Sequence, residues 1–226
     1  MEDLTIIYLT ASQIPKKFAD KQRDILKKAS KGARIISVSR EPLDYGDNII
    51  DDRPKSLSNI YWQMLRASKM ATTPFVAVAE DDCLYHENHF SFYRPDSDIF
   101  AYNQNRFALF TWGEAMYSWR NRKSNSTLIA PRQLLIDTLE ERFAKYPDGT
   151  PEEITGEVGR RMVESNLKVT PRKSKEVFSE VSVIQFNHDN ASEDRQVRHR
   201  KKHGQIKAYD LYYWREAKKL IQIYEK

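Results

Sequence analysis

The sequence predicts an α/β fold with a mixed central sheet, mostly parallel in its N-terminal half and flanked by helices. Three observations carry that expectation. Apolar strand-length runs alternate with helix-period segments over the first eighty or so residues, the pattern of β-α-β units joined by right-handed crossovers. After Tyr93 the pattern changes to short β runs broken by Asn and Gln. With 226 residues, 40% of them hydrophobic and 12% aromatic, the chain can build one well-buried core. A single domain over residues 1–226 follows, with 1–93 as a ligand-binding half and 94–226 completing the sheet.

Leu4 to Leu9 is an apolar strand, and the helical spacing of Phe18, Ile25 and Leu26 predicts a helix after it. "ARIISVS", just past Gly32, makes a second strand. "REPLDYGDNIIDDRPK" reads as a loop because Pro42, Gly46 and Pro54 interrupt it. "SLSNIYWQMLRASKMA" reads as a helix that Ser56 can cap, and Phe75 to Ala79 as a third parallel strand. "DIFAYN", "RFALFTW" and "NSTLIAP" are short β runs, followed by a helix from Pro131 to about Tyr146 with proline in its first turn. Glu152 to Leu167 is expected to be a helix interrupted by Gly156 and Gly159. "VSVIQFN" is a strand leading to His188, and Tyr209 to Tyr224 a final helix.

Composition narrows the function classes. A charged fraction of 31% and a mean hydropathy of −0.72 describe a polar surface. No apolar run approaches the roughly 18 residues that cross a bilayer, and "MEDLTIIYLT" opens with acids where a signal peptide carries lysines, so cytoplasmic residence is expected, in a bacterial host if the gene is a phage's. The lone Cys83 excludes an internal disulfide and fits a small buried thiol. Neither GxGxxG nor GxxxxGK occurs among seven glycines, which disfavours dinucleotide and P-loop folds. The net charge of +5 is modest, but basic residues cluster in "RNRK", next to Tyr117 and Trp119, and in "RQVRHRKKH". Such runs suit either a solvated face or a polyanion. A monomer is the default expectation.

The stretch that points to chemistry is "TTPFVAVAEDD". Glu80, Asp81 and Asp82 sit at the carboxyl end of a buried parallel strand, the edge where ligands bind in open α/β sheets. Crowded carboxylates cost several kcal/mol unless a positive group joins them. Oxygen-only ligands suit Mg²⁺ or Mn²⁺. Strand alternation puts Glu80 and Asp82 on one side and Asp81 on the other. Ser56, Asn59 and Gln63 fall at i, i+3 and i+7, on one helix face.

"FVAVAEDD" after this opening resembles the DxD-type metal site of GT-A glycosyltransferases, and the implied fold is GT-A-like, a Rossmann-like arrangement. "VSREPLDYGDNI", "SLSNIYWQMLRA", "TTPFVAVAEDDCLYHENHFSF" and "LEERFAKYP" are similar to small phage-type glycosyltransferases of hydroxymethylated pyrimidines in DNA, over most of Leu4 to Asn190. The resemblance implies a nucleotide-sugar half before Tyr93 and an acceptor half after it. It makes Asp82 the direct metal ligand, with Glu80 and Asp81 on sugar, ribose or metal-bound water, and His188 a second ligand. Thr10 and Ala11 would lie under the base or ribose, Arg40 with Asp47 would close that wall, and Ser56, Asn59 and Gln63 would read uracil or a phosphate. "GEVGR" resembles an acceptor-side motif, which makes Glu157 the first choice of base and Glu153, one helical turn earlier, the alternative. Trp119, Arg120, Arg122, Lys123, Arg198, Arg200 and Lys201 would contact DNA.

The function so implied is transfer of a hexosyl or pentosyl group, with inversion, from a nucleoside-diphosphate sugar such as a UDP-sugar to a 5-hydroxymethylpyrimidine in DNA. Two alternatives keep the same residues: a transferase with a saccharide or other non-DNA acceptor, and a DNA-binding accessory protein whose acids are structural. A carboxylate-pair glycosidase has no aromatic-lined cleft to support it.

Overall fold

The computed structural model describes residues 1–119, 121–188 and 204–225. A seven-stranded sheet forms its centre. The strands β1 (Leu4–Leu9), β2 (Arg34–Ser39), β3 (Asp47–Ile50) and β4 (Phe75–Glu80) run parallel, with β1 between β2 and β4 and β3 beyond β2. Three further strands extend the sheet past β4: β9 (Leu128–Pro131) antiparallel to it, then β6 (Ile99–Asn103), then β10 (Lys173–Val177) parallel to β6. All six residues of β1 are buried, as a strand covered on both faces requires.

The helices α2 (Asn59–Met70) and α4 (Arg132–Lys145) cover one face. They bury Tyr61, Met64, Leu65, Leu135, Leu139 and Phe143 against Ile7, Ile36, Val76 and Val78. On the other face lie α1 (Lys16–Ala29), through Leu26 and Ala29, and the short helix α3 (Glu87–Ser91), through Phe90. Beyond α1 a second sheet of five strands has the order β12 (Ile206–Ala208), β8 (Tyr117–Trp119), β7 (Arg106–Phe110), β11 (Val183–Asn187), β5 (Cys83–Leu84). The last helix, α6 (Ala217–Glu225), packs Leu220 with Phe18, Leu109 and Phe186. Both of these sheets take strands from before and after Tyr93. No helix among the described residues is long and apolar enough to cross a membrane.

Three expectations are corrected. The segment read as a loop around Asp47 contains β3, a four-residue strand whose polar, half-exposed sequence hides its pairing with β2. Residues 152–167 are not one helix. Glu152–Ile154 is a single 3-10 turn, an extended loop follows, and only Arg161–Leu167 forms helix α5. Glycines at 156 and 159 are poor helix formers, and Gly159 adopts φ +71°, outside the right-handed helical region. Residues 209–216, expected to begin the last helix, instead contain the hairpin β13 (Asp210–Leu211) and β14 (Arg215–Glu216).

The loop that replaces the broken helix is firmly fixed. Arg142 Nη1 donates to the Gly156 carbonyl at 3.0 Å and the Tyr102 hydroxyl to the Val158 carbonyl at 2.7 Å. Gly159 donates its N–H to the buried Glu164 carboxylate at 2.6 Å and accepts from Ser174 Oγ at 2.6 Å. A Cβ at position 159 would lie 2.9 Å from Ser174 Cβ and 3.0 Å from Phe100 Cδ2. Gly159→Ala is therefore expected to destabilise the fold by about 1–3 kcal/mol through crowding and positive φ together. Urea unfolding measures it, and an unchanged midpoint would contradict this packing.

Candidate active site

The three acids occupy the step between the two sheets. Glu80 ends β4, and after Asp81 and Asp82 the chain begins β5 at Cys83, antiparallel to β11. The chain is pinned on both sides of this step. Asp81 N–H donates to the Leu9 carbonyl of β1 at 3.1 Å, and Phe186 N–H donates to the Asp82 carbonyl at 2.8 Å. Gln22 of α1 buttresses it from beneath, its amide donating to the Cys83 carbonyl at 2.8 Å.

The side chains divide as strand alternation predicts. Asp81 faces the loop after β1, where its carboxylate accepts from the Thr10 hydroxyl at 2.5 Å and from the Ala11 N–H. Asp82, 9% exposed, accepts from Cys83 Sγ at 3.0 Å on one oxygen and from Gln185 Nε2 at 3.3 Å on the other. Ligand atoms of Glu80, Asp82 and Cys83 lie within 4.8 Å of one another.

Among the described residues, negative charge outweighs positive at this corner. Burial, then Asp82, then Asp81, push the Glu80 carboxyl up to about 8. Burial and Asp82 push Asp81 up to about 7, against the Thr10 and Ala11 bonds. Burial and the flanking acids hold the Cys83 thiol well above its ordinary value, so it stays a neutral donor. Among the described residues, buried Arg106 is a cation whose charge lowers Glu80. The donor set fits a divalent cation: carboxylate oxygens converge where like charges repel.

Glu80 and Asp81 titrate above their ordinary 4.5 and 3.8, so their contribution to stability is fully present below about 4 and is lost as pH rises through 7 and 8. Metal-free Glu80→Gln protein is expected to be more stable than the parent at pH 9 by roughly 1–2 kcal/mol, after allowing for solvent screening at this half-buried edge. The gap should close at pH 4. Thermal melts at both pH values test this, and a gap independent of pH would contradict it.

The remaining candidates divide by position. Glu157, 7% exposed, sits on the fixed loop, paired with Arg160 Nη1 at 2.7 Å and 3.9 Å from Arg122 Nη2. Its charge also raises Glu80, so it faces the same corner. Glu153 is exposed on the 3-10 turn and shares no helix with Glu157, which corrects the expectation of a common face. His188, 6% exposed at the end of β11, stacks its ring on Tyr224, with centroids 5.9 Å apart, and lies outside the 4.8 Å cluster.

The expected nucleotide wall is rearranged. Asp47 turns back to Arg34 Nε at 2.7 Å, away from Arg40. The acid beside Arg40 is Asp51, just past β3: its carbonyl accepts from Arg40 Nη1 at 3.1 Å. Asp51 is 1% exposed, and its carboxylate takes Asn59 Nδ2 at 2.6 Å and Gln63 Nε2 at 2.7 Å. Those two amides therefore hold an internal acid, while Ser56 Oγ, ahead of α2, accepts from Asn59 N–H at 3.1 Å. Of the DNA candidates, Trp119 donates its indole N–H to the Gln104 carbonyl at 2.8 Å and Lys123 donates to Ser174 Oγ at 2.7 Å. Arg122 is exposed beside Glu157. Arg120, Arg198, Arg200 and Lys201 lie outside the described residues. Sequence reasoning missed Gln185 and Asp51. Gln185 carries a signal, as an amide set between the apolar residues Ile184 and Phe186.

No protein-family model and no curated protein matches the sequence. Among solved structures, the chain is similar to the bifunctional IspDF from Campylobacter jejuni, at 11% identity over 79% of this chain and 50% of that one, TM-score 0.46. It is similar to a glycosyltransferase involved in glycosylation of the major capsid of PBCV-1, at 10% identity over 86% and 96%, TM-score 0.45. It is also similar to the mannosyltransferase PcManGT from Pyrobaculum calidifontis, solved with GDP-Man and Mn2+, at 9% identity over 82% and 56%, TM-score 0.47. The chain spans about half the length of the first and third of these.

Proposed function

We propose that the protein is a metal-dependent glycosyltransferase that moves a sugar from a nucleoside-diphosphate sugar, a UDP-sugar, to the hydroxyl of a 5-hydroxymethylpyrimidine in DNA. The observation that carries the reading is the run of three acids on the step between the two sheets, at the carboxyl edge of the parallel strands, where Glu80 and Asp82 converge and Asp81 turns to the loop after β1.

Asp82 would hold Mn²⁺ or Mg²⁺ with Glu80 beside it, and His188, the candidate second ligand from the far end of the chain, would have to leave its stack on Tyr224 to reach that cation. The cation supplies charge neutralisation for the departing diphosphate. The loop after β1, which Asp81 fixes through Thr10 and Ala11, would lie under the nucleoside, with Arg40 at its side. Transfer inverts the sugar: the acceptor oxygen bonds to the anomeric carbon as the bond from that carbon to the diphosphate oxygen breaks. Glu157 takes the acceptor proton, and its ion pair with Arg160 aims the carboxylate. Support for a DNA acceptor is charge: exposed Arg122 next to Glu157, and the basic run 195–203.

The test incubates the protein with hydroxymethylated DNA, Mn²⁺ and a panel of nucleotide sugars, then weighs the digested nucleosides. Added hexose or pentose mass is expected. Mn²⁺-dependent release of nucleoside diphosphate with unmodified DNA moves the acceptor to a saccharide. Neither product, with any donor, leaves the acids structural and overturns the reading.

A further inference from the structure

Asp82 is held by a relay that begins at a buried arginine. Arg106 of β7 is 5% exposed. Its Nη1 donates to Gln185 Oε1, and Gln185 Nε2 donates to Asp82 Oδ2 at 3.3 Å. A guanidinium carries donors only, so its bond sets the amide: oxygen toward Arg106, nitrogen toward Asp82. Arg106 Nη2 also donates to the Arg122 carbonyl at 3.2 Å, and the Arg122 side chain reaches Glu157 at 3.9 Å. One buried cation thus ties down both the acid step and the segment beside Glu157.

From this geometry we infer that Gln185, oriented by Arg106, is a positioning residue for the cation. The inference rests on the metal role proposed for Asp82. With Cys83 Sγ on Oδ1 and Gln185 Nε2 on Oδ2, the carboxylate plane is fixed, and each oxygen keeps one lone pair for a ligand. Interposing a neutral amide matters. A cationic side chain bonded directly to Asp82 would compete with a metal ion, whereas Gln185 orients the acid and keeps the arginine's charge one residue away. Outer partners of this kind are worth about 10–100-fold in metal affinity.

The experiment measures Mn²⁺ binding without turnover, by electron paramagnetic resonance of free Mn²⁺ in the presence of UDP. It compares the parent with Gln185→Met and Gln185→Asn. Methionine keeps the volume without the amide, and asparagine keeps an acceptor for Arg106 but falls a methylene short of spanning to Asp82. Neither changes the net charge. Both are expected to bind Mn²⁺ about 10–100-fold more weakly, with the isolated fold intact by circular dichroism. Should the methionine variant fail to fold, the asparagine variant decides. Parent-like affinity in the variants overturns the relay. A folded parent that binds no Mn²⁺ removes the metal reading itself, a different outcome.

Discussion

Asp82→Asn should lower Mn²⁺-dependent sugar transfer by at least roughly a hundredfold, the scale on which a metal site loses function when its ligands are disturbed. The change removes one negative charge from the centre of the acid group and leaves one oxygen where there were two. Cys83 Sγ and Gln185 Nε2 then face an oxygen and an amide nitrogen. Losing one of those bonds costs about 1 kcal/mol. Relief of the repulsion that raises Glu80 and Asp81 acts in the opposite direction. The variant should therefore be folded, with a melting temperature near the parent's, yet fail to turn over. Transfer within a few fold of the parent would remove Asp82 from the machinery.

Glu157→Gln should lower the transfer rate by about 10²–10⁴-fold while leaving Mn²⁺ and UDP binding as in the parent, because a general base acts on the acceptor proton and not on the donor. The loop that carries it is fixed by Arg142, Tyr102, Glu164 and Ser174, so the substitution should not move the backbone. Glutamine still offers an oxygen to Arg160. Single-turnover rates beside binding measurements separate this outcome from that of Asp82→Asn. Loss in Glu153→Gln with Glu157→Gln unaffected would reverse the assignment.

These residues were legible in the sequence to different degrees, for physical reasons. The parallel opening and the acids were readable because burial on both faces leaves unbroken apolar runs, and three carboxylates ending one of them stand out. β3 was not, since an edge strand of "DNII" can be polar and short. The region 152–167 looked helical by composition, but two glycines let the chain extend and bury Glu157. Asp47 and Asp51 are equivalent on paper, and only the register of β3 on β2 places Asp51 at the Arg40 end. The partner of Asp82 on β11 shows the same limit. Phe186 and His188 share one side of the strand, where both rings meet Tyr224, and Gln185 takes the other side, facing Asp82. Alternation makes that choice only once the strand's neighbours are known.

The step between β4 and β5 is proposed to hold a cation that in turn holds a diphosphate. Crystals grown with Mn²⁺ and UDP, with diffraction recorded near the manganese absorption edge, would locate that cation. An anomalous peak is expected in contact with an Asp82 oxygen and with the diphosphate. UDP bound with no peak there, or a peak away from Asp82, would contradict this proposal.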